Sequence, residues 1–404
     1  MEQRREGDAF IYDWPEEQVS IELLDVHRKS DEWWAWLTVR TTAPGTFPHL
    51  AEVNHNLGAM QSRTSLARHL TERMPGVDWV GILEQACVLT VRAIREGIAF
   101  SKIGSIEGHT APIPLLDPLI LYRQTTVLFG DGGAGKSTLG VFTCGLVALT
   151  EKVVGLGPGP GFPALFLDWE TDEDEIDWRL KCLRTGHGLA FPDAFYRRET
   201  APLHDSARQI KRFIDREGIM YVVVDSIGAA CGGDPETADT VLRFFSAVRS
   251  LGVGALCIDH VTKRDSGGKP FGSAYKHNAP RLTWELRKQA FEEENVIHLG
   301  LFNRKANNGR LHKPFGLRLL FTESSMRFER EDIQDVPELA ASLPLRQRIL
   351  AALRRSSLST AEIIEIIQMS ERERSQVAVR LSEMRRAGQV IKSGEKWGLA
   401  TYRV

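Results

Sequence analysis

Hydrophobic and polar positions follow three different rhythms along the chain. Over Val19–Asp25 and Glu32–Arg40 apolar and polar residues alternate, the period of a half-buried strand, so a hairpin is expected there. Two helical periods follow, Ser62–Met74 and Val77–Glu96, the second bringing Trp79, Ile82, Leu83, Cys87, Val91 and Ile94 onto one face. Residues 1–104 are therefore expected to form a small α+β accessory domain, with the hairpin packed on the helices. From 105 to 330 the texture changes to short unbroken apolar runs, among them Thr125–Phe129, Ala164–Leu167, Met220–Val224 and Gly254–Ile258, alternating with helical stretches. Strands buried on both faces and separated by helices predict a mostly parallel α/β sheet. Past the junction Glu331–Pro337, helical periods over Leu345–Arg355, Thr360–Ile367 and Ser370–Ala387 lead into two short strands within Gln389–Leu399, so residues 338–404 form a third unit.

The first apolar run of the middle region leads straight into FGDGGAGKST, Phe129–Thr138. Its spacing fits G-x-x-x-x-G-K-[ST], with Gly130, Gly135, Lys136 and Ser137 at the fixed positions. Glycines let a backbone turn through positive φ and bring its N–H groups onto phosphate oxygens, where a side chain would collide. Residues Gly130, Asp131, Gly132, Gly133, Ala134, Gly135, Lys136, Ser137 and Thr138 are thus expected to cradle the phosphates of ATP. Lys136 would reach the β- and γ-phosphates and the Ser137 hydroxyl would ligate Mg²⁺. The helical run from Thr138 to Leu149 would point its N-terminus at the anion.

Composition changes this picture little. The 404 residues are 42% hydrophobic with a net charge of −2, an ordinary globular balance, so a nucleic-acid surface would have to come from local patches. Cys87, Cys144, Cys182, Cys231 and Cys257 show no C-x-x-C pair and no zinc spacing, which points to reduced, buried thiols and a cytoplasmic setting. No stretch has the length of a membrane span, and MEQRREGDAF lacks the apolar run of a leader. The Trp33-Trp34-Ala35-Trp36 cluster has two readings, strand core or a platform for nucleic-acid bases.

Three further strands end in polar residues. Met220–Asp225 closes on a carboxylate that, placed after a phosphate loop, is the expected holder of Mg²⁺ together with Ser137. In Ala164–Thr171, ALFLDWET, Glu170 is expected to polarise the attacking water, because catalysis collects at the carboxyl edge of such a sheet. Asp168 shares its strand face and competes for the role. Gly254–Lys263 ends in His260, placed to sense the γ-phosphate, although a lone histidine is as often structural.

Taken in order, GDGGAGKS, LDWET with the acidic helix Asp172–Leu180, VVVDS, IDHVTK and Phe271–Arg281 resemble the RecA-fold ATPases, and among them the RepA-like hexameric helicase group, over residues 105–330. The resemblance implies a RecA-like core, a ring of six subunits with ATP between neighbours, and a basic residue supplied from the next subunit. The element Phe302–Arg310 resembles the late-strand Lys-x-Arg-Asn-Gly run of ring helicases, with Asn307 where arginine is expected. Arg304 or Lys305 would act in trans, with Arg281 and Arg310 as alternatives and a solvated basic turn as the plain reading.

Two loops would face the ring channel, Gly228–Thr237 and Lys263–Gly272. The second carries Lys263, Arg264 and Lys269, a composition suited to following a phosphate backbone. The element order of 338–404 resembles a winged helix, with Arg372, Arg374 and Arg380 on or near the helix that would enter a major groove. Twelve Lys or Arg stand there against seven Asp or Glu, although interleaved glutamates also suit a protein partner. The expected function is a Mg²⁺-dependent ATPase driving a DNA helicase or translocase in replication, acting on single-stranded or forked DNA alongside replication or recombination proteins. A loader or recombinase-like ATPase and an ATP-switched DNA-binding regulator are the alternatives.

Overall fold

A computed structural model describes residues 1–97, 100, 102, 114–261, 273–289, 295–307, 309–367 and 371–400. The chain separates into two compact units, one comprising 1–111 with 208–216, the other 112–207 with 217–404. The C-terminal elements group with the second unit.

In the first unit, β1 (Glu2–Glu6), β2 (Ala9–Trp14), β3 (Val19–Lys29), β4 (Glu32–Thr41) and β5 (His49–Asn56) form an antiparallel sheet in sequence order. The expected hairpin is its β3–β4 pair, a part of a larger meander. Helices α1 (Met60–Arg73) and α2 (Trp79–Glu96) share a core with one face of the sheet, where Tyr12, Ile21, Leu23, Ala35, Leu37 and Val39 meet Leu70, Leu83 and Ala86. Asp78 starts α2 by accepting from Gly81 N–H. Strand alternation divides the tryptophan cluster: Trp33 packs toward this core, while Trp36, on the other face, is 45% exposed.

The second unit opens with a short hairpin, β6 (Pro114–Leu116) and β7 (Ile120–Leu121), then runs β8 (Thr125–Gly130), α3 (Lys136–Val147), β9 (Ala164–Asp168), α4 (Glu173–His187) and β10 (Phe195–Arg198); after α5 (Leu203–Glu217), whose residues 208–216 group with the first unit, it continues with β11 (Tyr221–Asp225), α6 (Ile227–Ala230), α7 (Ala238–Ser250), β12 (Gly254–His260) and α8 (Tyr275–Asn278). Four strands follow, β13 (Leu282–Lys288), β14 (Val296–Ala306), β15 (Phe315–Phe321) and β16 (Met326–Glu331). The sheet order is β10-β9-β11-β12-β8-β13-β14-β15-β16. From β10 to β13 every pair is parallel; β14, β15 and β16 then fold back antiparallel. Strand–helix alternation therefore stops at β13, earlier than the sequence pattern suggested. β16 packs against α4, and among the described residues no helix lies between β14, β15 and β16, so local periodicity could not separate the two halves.

Strands β8, β9 and β11 are buried at every position, as the unbroken apolar runs require. Helix α3 is buried along nearly its whole length, so the loop preceding it runs between two buried elements.

After α9 (Pro337–Ala341), the chain forms α10 (Leu345–Arg355), β17 (Leu358–Ser359), α11 (Thr360–Ile366), α12 (Glu371–Arg386), β18 (Val390–Ser393) and β19 (Lys396–Leu399) around their own core of Ile349, Leu353, Ile363, Val377, Leu381 and Trp397. A capping box between Ser359 and Glu362 sets the start of α11. Strand β17, too short to read from sequence, completes a sheet of order β17-β19-β18.

Candidate nucleotide site at the carboxyl edge of the sheet

Parallel registry carries the site residues to one edge. Asp225 pairs in the ladder with Asp168 on one side and Ile258 on the other, and His260 lies level with Gly130. Four strands thus end together at the phosphate loop, the place where such sheets bind ligands.

The loop needs its glycines for two separate reasons. A Cβ on Gly130 would lie 2.2 Å from the Leu286 carbonyl oxygen, so β13 approaches too closely for a side chain. Gly135, at φ 80°, turns the chain into α3 through the left-handed region. Gly132 and Gly133 face open space, and Asp131 is exposed beside them. Ala134 and Thr138 are buried and anchor the two ends of the turn.

Lys136 is only 5% exposed, and its Nζ donates to Gly130 O at 2.9 Å and Asp131 O at 2.7 Å, curled over its own loop. Burial lowers its pKa, opposed by the nearby carboxylates of Asp225 and Glu170. Asp225 is 2% exposed and its Oδ1 has no hydrogen-bond partner among the described residues. Burial pushes this carboxyl up to about 6; the Ser137 hydroxyl and Lys136 pull it down, while Glu170 and Asp168 add to the rise. A buried carboxylate with an unused oxygen, a hydroxyl beside it and an open glycine cradle ahead of a helix N-terminus have the donor set and the room for a divalent cation and a triphosphate.

Asp168 and Glu170 sit in contrasting surroundings. Asp168 is 1% exposed; its Oδ1 accepts from the N–H groups of Glu170 (2.8 Å) and Thr171 (3.0 Å), and its Oδ2 from the hydroxyls of Thr171 (2.7 Å) and Tyr196 (3.0 Å). This carboxylate shapes the turn that presents Glu170 and has no lone pair free for water. Glu170 is exposed on that turn. Its Oε1 accepts from Ser226 Oγ and lies 3.4 Å from His260 Nε2. His260, Ser226 and Lys136 together hold its pKa down at about 2 against the effect of burial, so it is a carboxylate at every physiological pH.

The basic element lies elsewhere on the sheet and is tied within its own chain. Arg304 Nε donates to Glu285 Oε2 at 2.7 Å, Arg287 binds the other oxygen at 2.7 Å, and both guanidinium groups lie over the Phe302 ring. Lys305 Nζ donates to the carbonyls of His277 (2.9 Å), Asn278 (2.6 Å) and Pro280 (2.8 Å), closing the C-terminal end of α8. Both of the cations expected to act in trans thus have partners within the chain. Arg281 and Arg310 are the exposed members of the group. Lys263, Arg264 and Lys269 lie outside the described residues. Helix α12 carries Arg372, Arg374 and Arg380; Arg374 is exposed, and Arg380 is exposed and paired with Glu383.

Sequence reasoning passed over Ser226, Tyr196, Glu285 and the buried pair of Lys276 and Asp259. Ser226 follows Asp225 directly, and that adjacency was a usable signal. Nothing local marked Tyr196, which reaches Asp168 from a neighbouring strand.

Residues 98–266 match the AAA domain family. The matched segment contains the phosphate loop, Glu170, Asp225 and His260, and the mostly parallel α/β sheet around them has the fold of a RecA-like P-loop core. A KaiC-like protein from the hyperthermophilic archaeon Pyrococcus horikoshii OT3 is similar in structure at 16% identity, covering 55% of this chain and 97% of that one, with a TM-score of 0.39. No curated protein matches the chain. Among the described residues no helix is long and apolar enough to cross a membrane.

Proposed function

We propose that the chain hydrolyses ATP with Mg²⁺ and spends the energy on moving along nucleic acid, as a ring-forming helicase or translocase of the RepA-like kind. The observation that carries the hydrolytic part is the pairing of unlike carboxylates at one sheet edge. Asp225 is buried with an oxygen unpartnered, while Glu170 is exposed, ionised and held by Ser226 and His260. Bound there, Mg²⁺ would neutralise charge on the β- and γ-phosphate oxygens. Ser137 and Asp225 are the residues to hold it. Lys136 would leave the carbonyls of Gly130 and Asp131 for phosphate oxygens, and the loop N–H groups and the α3 N-terminus would bind the remainder. Glu170 would orient a water through its carboxylate, with His260 moving between Glu170 and the terminal phosphate.

The nucleic-acid part is supported by the C-terminal elements. Helix, strand, helix, helix, strand, strand around a private core is the order of a winged helix, and exposed Arg374, Arg385 and Arg386 lie on its third helix. Assembly into a hexamer with single-stranded or forked DNA in the channel follows from the family resemblance. Because Arg304 and Lys305 are committed within the chain, exposed Arg281 is the preferred trans-acting cation.

The test is displacement of a labelled strand from a forked DNA duplex with Mg²⁺ and ATP, run beside ATP hydrolysis with and without single strands. Strand-stimulated hydrolysis with displacement is expected. Hydrolysis without displacement would replace the motor by a loader or recombinase-like ATPase, and ATP-dependent duplex binding without turnover would replace it by a switched regulator.

A further inference from the structure

Helix α8 is attached to the protein in an unusual way. Its one buried side chain is Lys276, 1% exposed, whose Nζ donates to Asp259 Oδ1 at 3.0 Å. Asp259 is 2% exposed, and its other oxygen has no partner among the described residues. At its C-terminal end α8 is held by Lys305. Two lysines therefore hold this helix, which also packs on α7. A buried ion pair is a poor source of stability, since an apolar pair of similar volume does as well, but it admits only one arrangement of its partners.

That arrangement bears on the nucleotide site. Asp259 precedes His260 at the end of β12, and successive side chains on a strand point to opposite faces. In the ladder Asp259 is level with Phe129 and His260 with Gly130. Lys276 thus grips one face of the strand end whose other face presents His260 to Glu170 at 3.4 Å. Helix α6, which follows Asp225, packs on β12 as well.

We propose that Lys276 and Asp259 are positioning residues for hydrolysis: their buried ion pair sets the height of His260 against Glu170 and so governs the rate of the chemical step rather than the affinity for ATP. The inference rests on the ATPase reading above. Lys276→Met breaks the pair, and the double variant Asp259→Leu/Lys276→Met restores a packed, folded core without the directional contact, so stability and positioning are separated. In both variants kcat is expected to fall about tenfold, with KM for ATP and the Kd of a fluorescent ATP analogue within about twofold of the parent. Lys276→Arg is expected to recover most of the rate. An apolar double variant that melts like the parent and keeps the parental kcat overturns the proposal.

A second readout does not need turnover. In the parent, Glu170→Gln should shift the ring-carbon NMR signals of His260; in the Lys276→Met background the same substitution should leave them nearly unchanged. An equal response in both backgrounds overturns the positioning role. A parent that shows this coupling but no hydrolysis sinks the ATPase reading alone.

Discussion

At the carboxyl edge of β8, β9, β11 and β12, polar groups keep unused bonding capacity, whereas along β13 and β14 the charges are spent on one another. Asp225 has an unpartnered oxygen and the phosphate loop faces open space. Glu285, by contrast, is saturated by Arg287 and Arg304, and Lys305 has a carbonyl for each of its three protons. The same contrast recurs within one turn, where saturated Asp168 supports exposed Glu170. Residue type does not distinguish these pairs. What differs is whether the fold has already supplied the partner that a ligand would bring.

The comparison breaks most readily at the phosphate loop. Lys136→Ala should lower ATP hydrolysis by about 10³-fold or more while leaving the circular dichroism spectrum unchanged, because it removes a phosphate donor that the loop needs only when ATP is bound. Glu170→Gln should cost about 10²-fold in kcat and leave binding of an ATP analogue intact, whereas Asp168→Asn should instead lower stability by about 1–3 kcal/mol, seen in urea unfolding. If Asp168→Asn lost rate without stability, the division of labour between the two carboxylates would be reversed.

Arg304→Ala leaves Glu285 buried beside Arg287 alone and should destabilise the fold by about 2–3 kcal/mol. Mixed with hydrolysis-dead Lys136→Ala subunits, it should not be complemented, and Arg281→Ala should be. Complementation of Arg304→Ala with unchanged stability would move the trans-acting role back to β14.

The smallest expected effect is the most specific. Asp225 titrates near 6 in the folded chain against an ordinary value of 3.8, so the folded state holds its proton longer than the unfolded state does. That group leaves stability untouched below about pH 4, erodes it as pH rises from there to 6, and contributes its full loss above 6. Asp225→Asn should therefore raise the melting temperature of the nucleotide-free protein at pH 7.5, by a gain of at most about 2–3 kcal/mol, and the gain should vanish at pH 4. Mg²⁺ with ATP should reverse the ranking, since only the aspartate can use the cation. An equal melting temperature for both proteins at pH 7.5 would mean that Asp225 is not held at a cost.

How much of this was legible depended on how local the signal was. The phosphate loop is one contiguous run with a spacing fixed by backbone geometry, and β8, β9, β11 and β12 are unbroken apolar segments because both faces are covered. Their polar endings could be read for the same reason. The antiparallel half of the sheet was not legible, because β13 to β16 carry similar apolar runs and strand direction is a property of pairing. The basic run at 304–310 looked available because a sequence shows charges without their partners; Glu285 is nineteen residues away from Arg304 and meets it only across the β13–β14 ladder.

The sequence by itself determined the glycine-rich loop and the strands that surround it, since turn chemistry and two-sided burial are written in neighbouring residues. Tertiary structure alone decided which carboxylate is spent and which is exposed, that Lys276 reaches Asp259 seventeen residues earlier in the chain, and that Lys305 closes a helix. A charge buried in a low-dielectric interior must find a partner wherever the fold places one, and that partner is set by strand order and register, which no local pattern encodes.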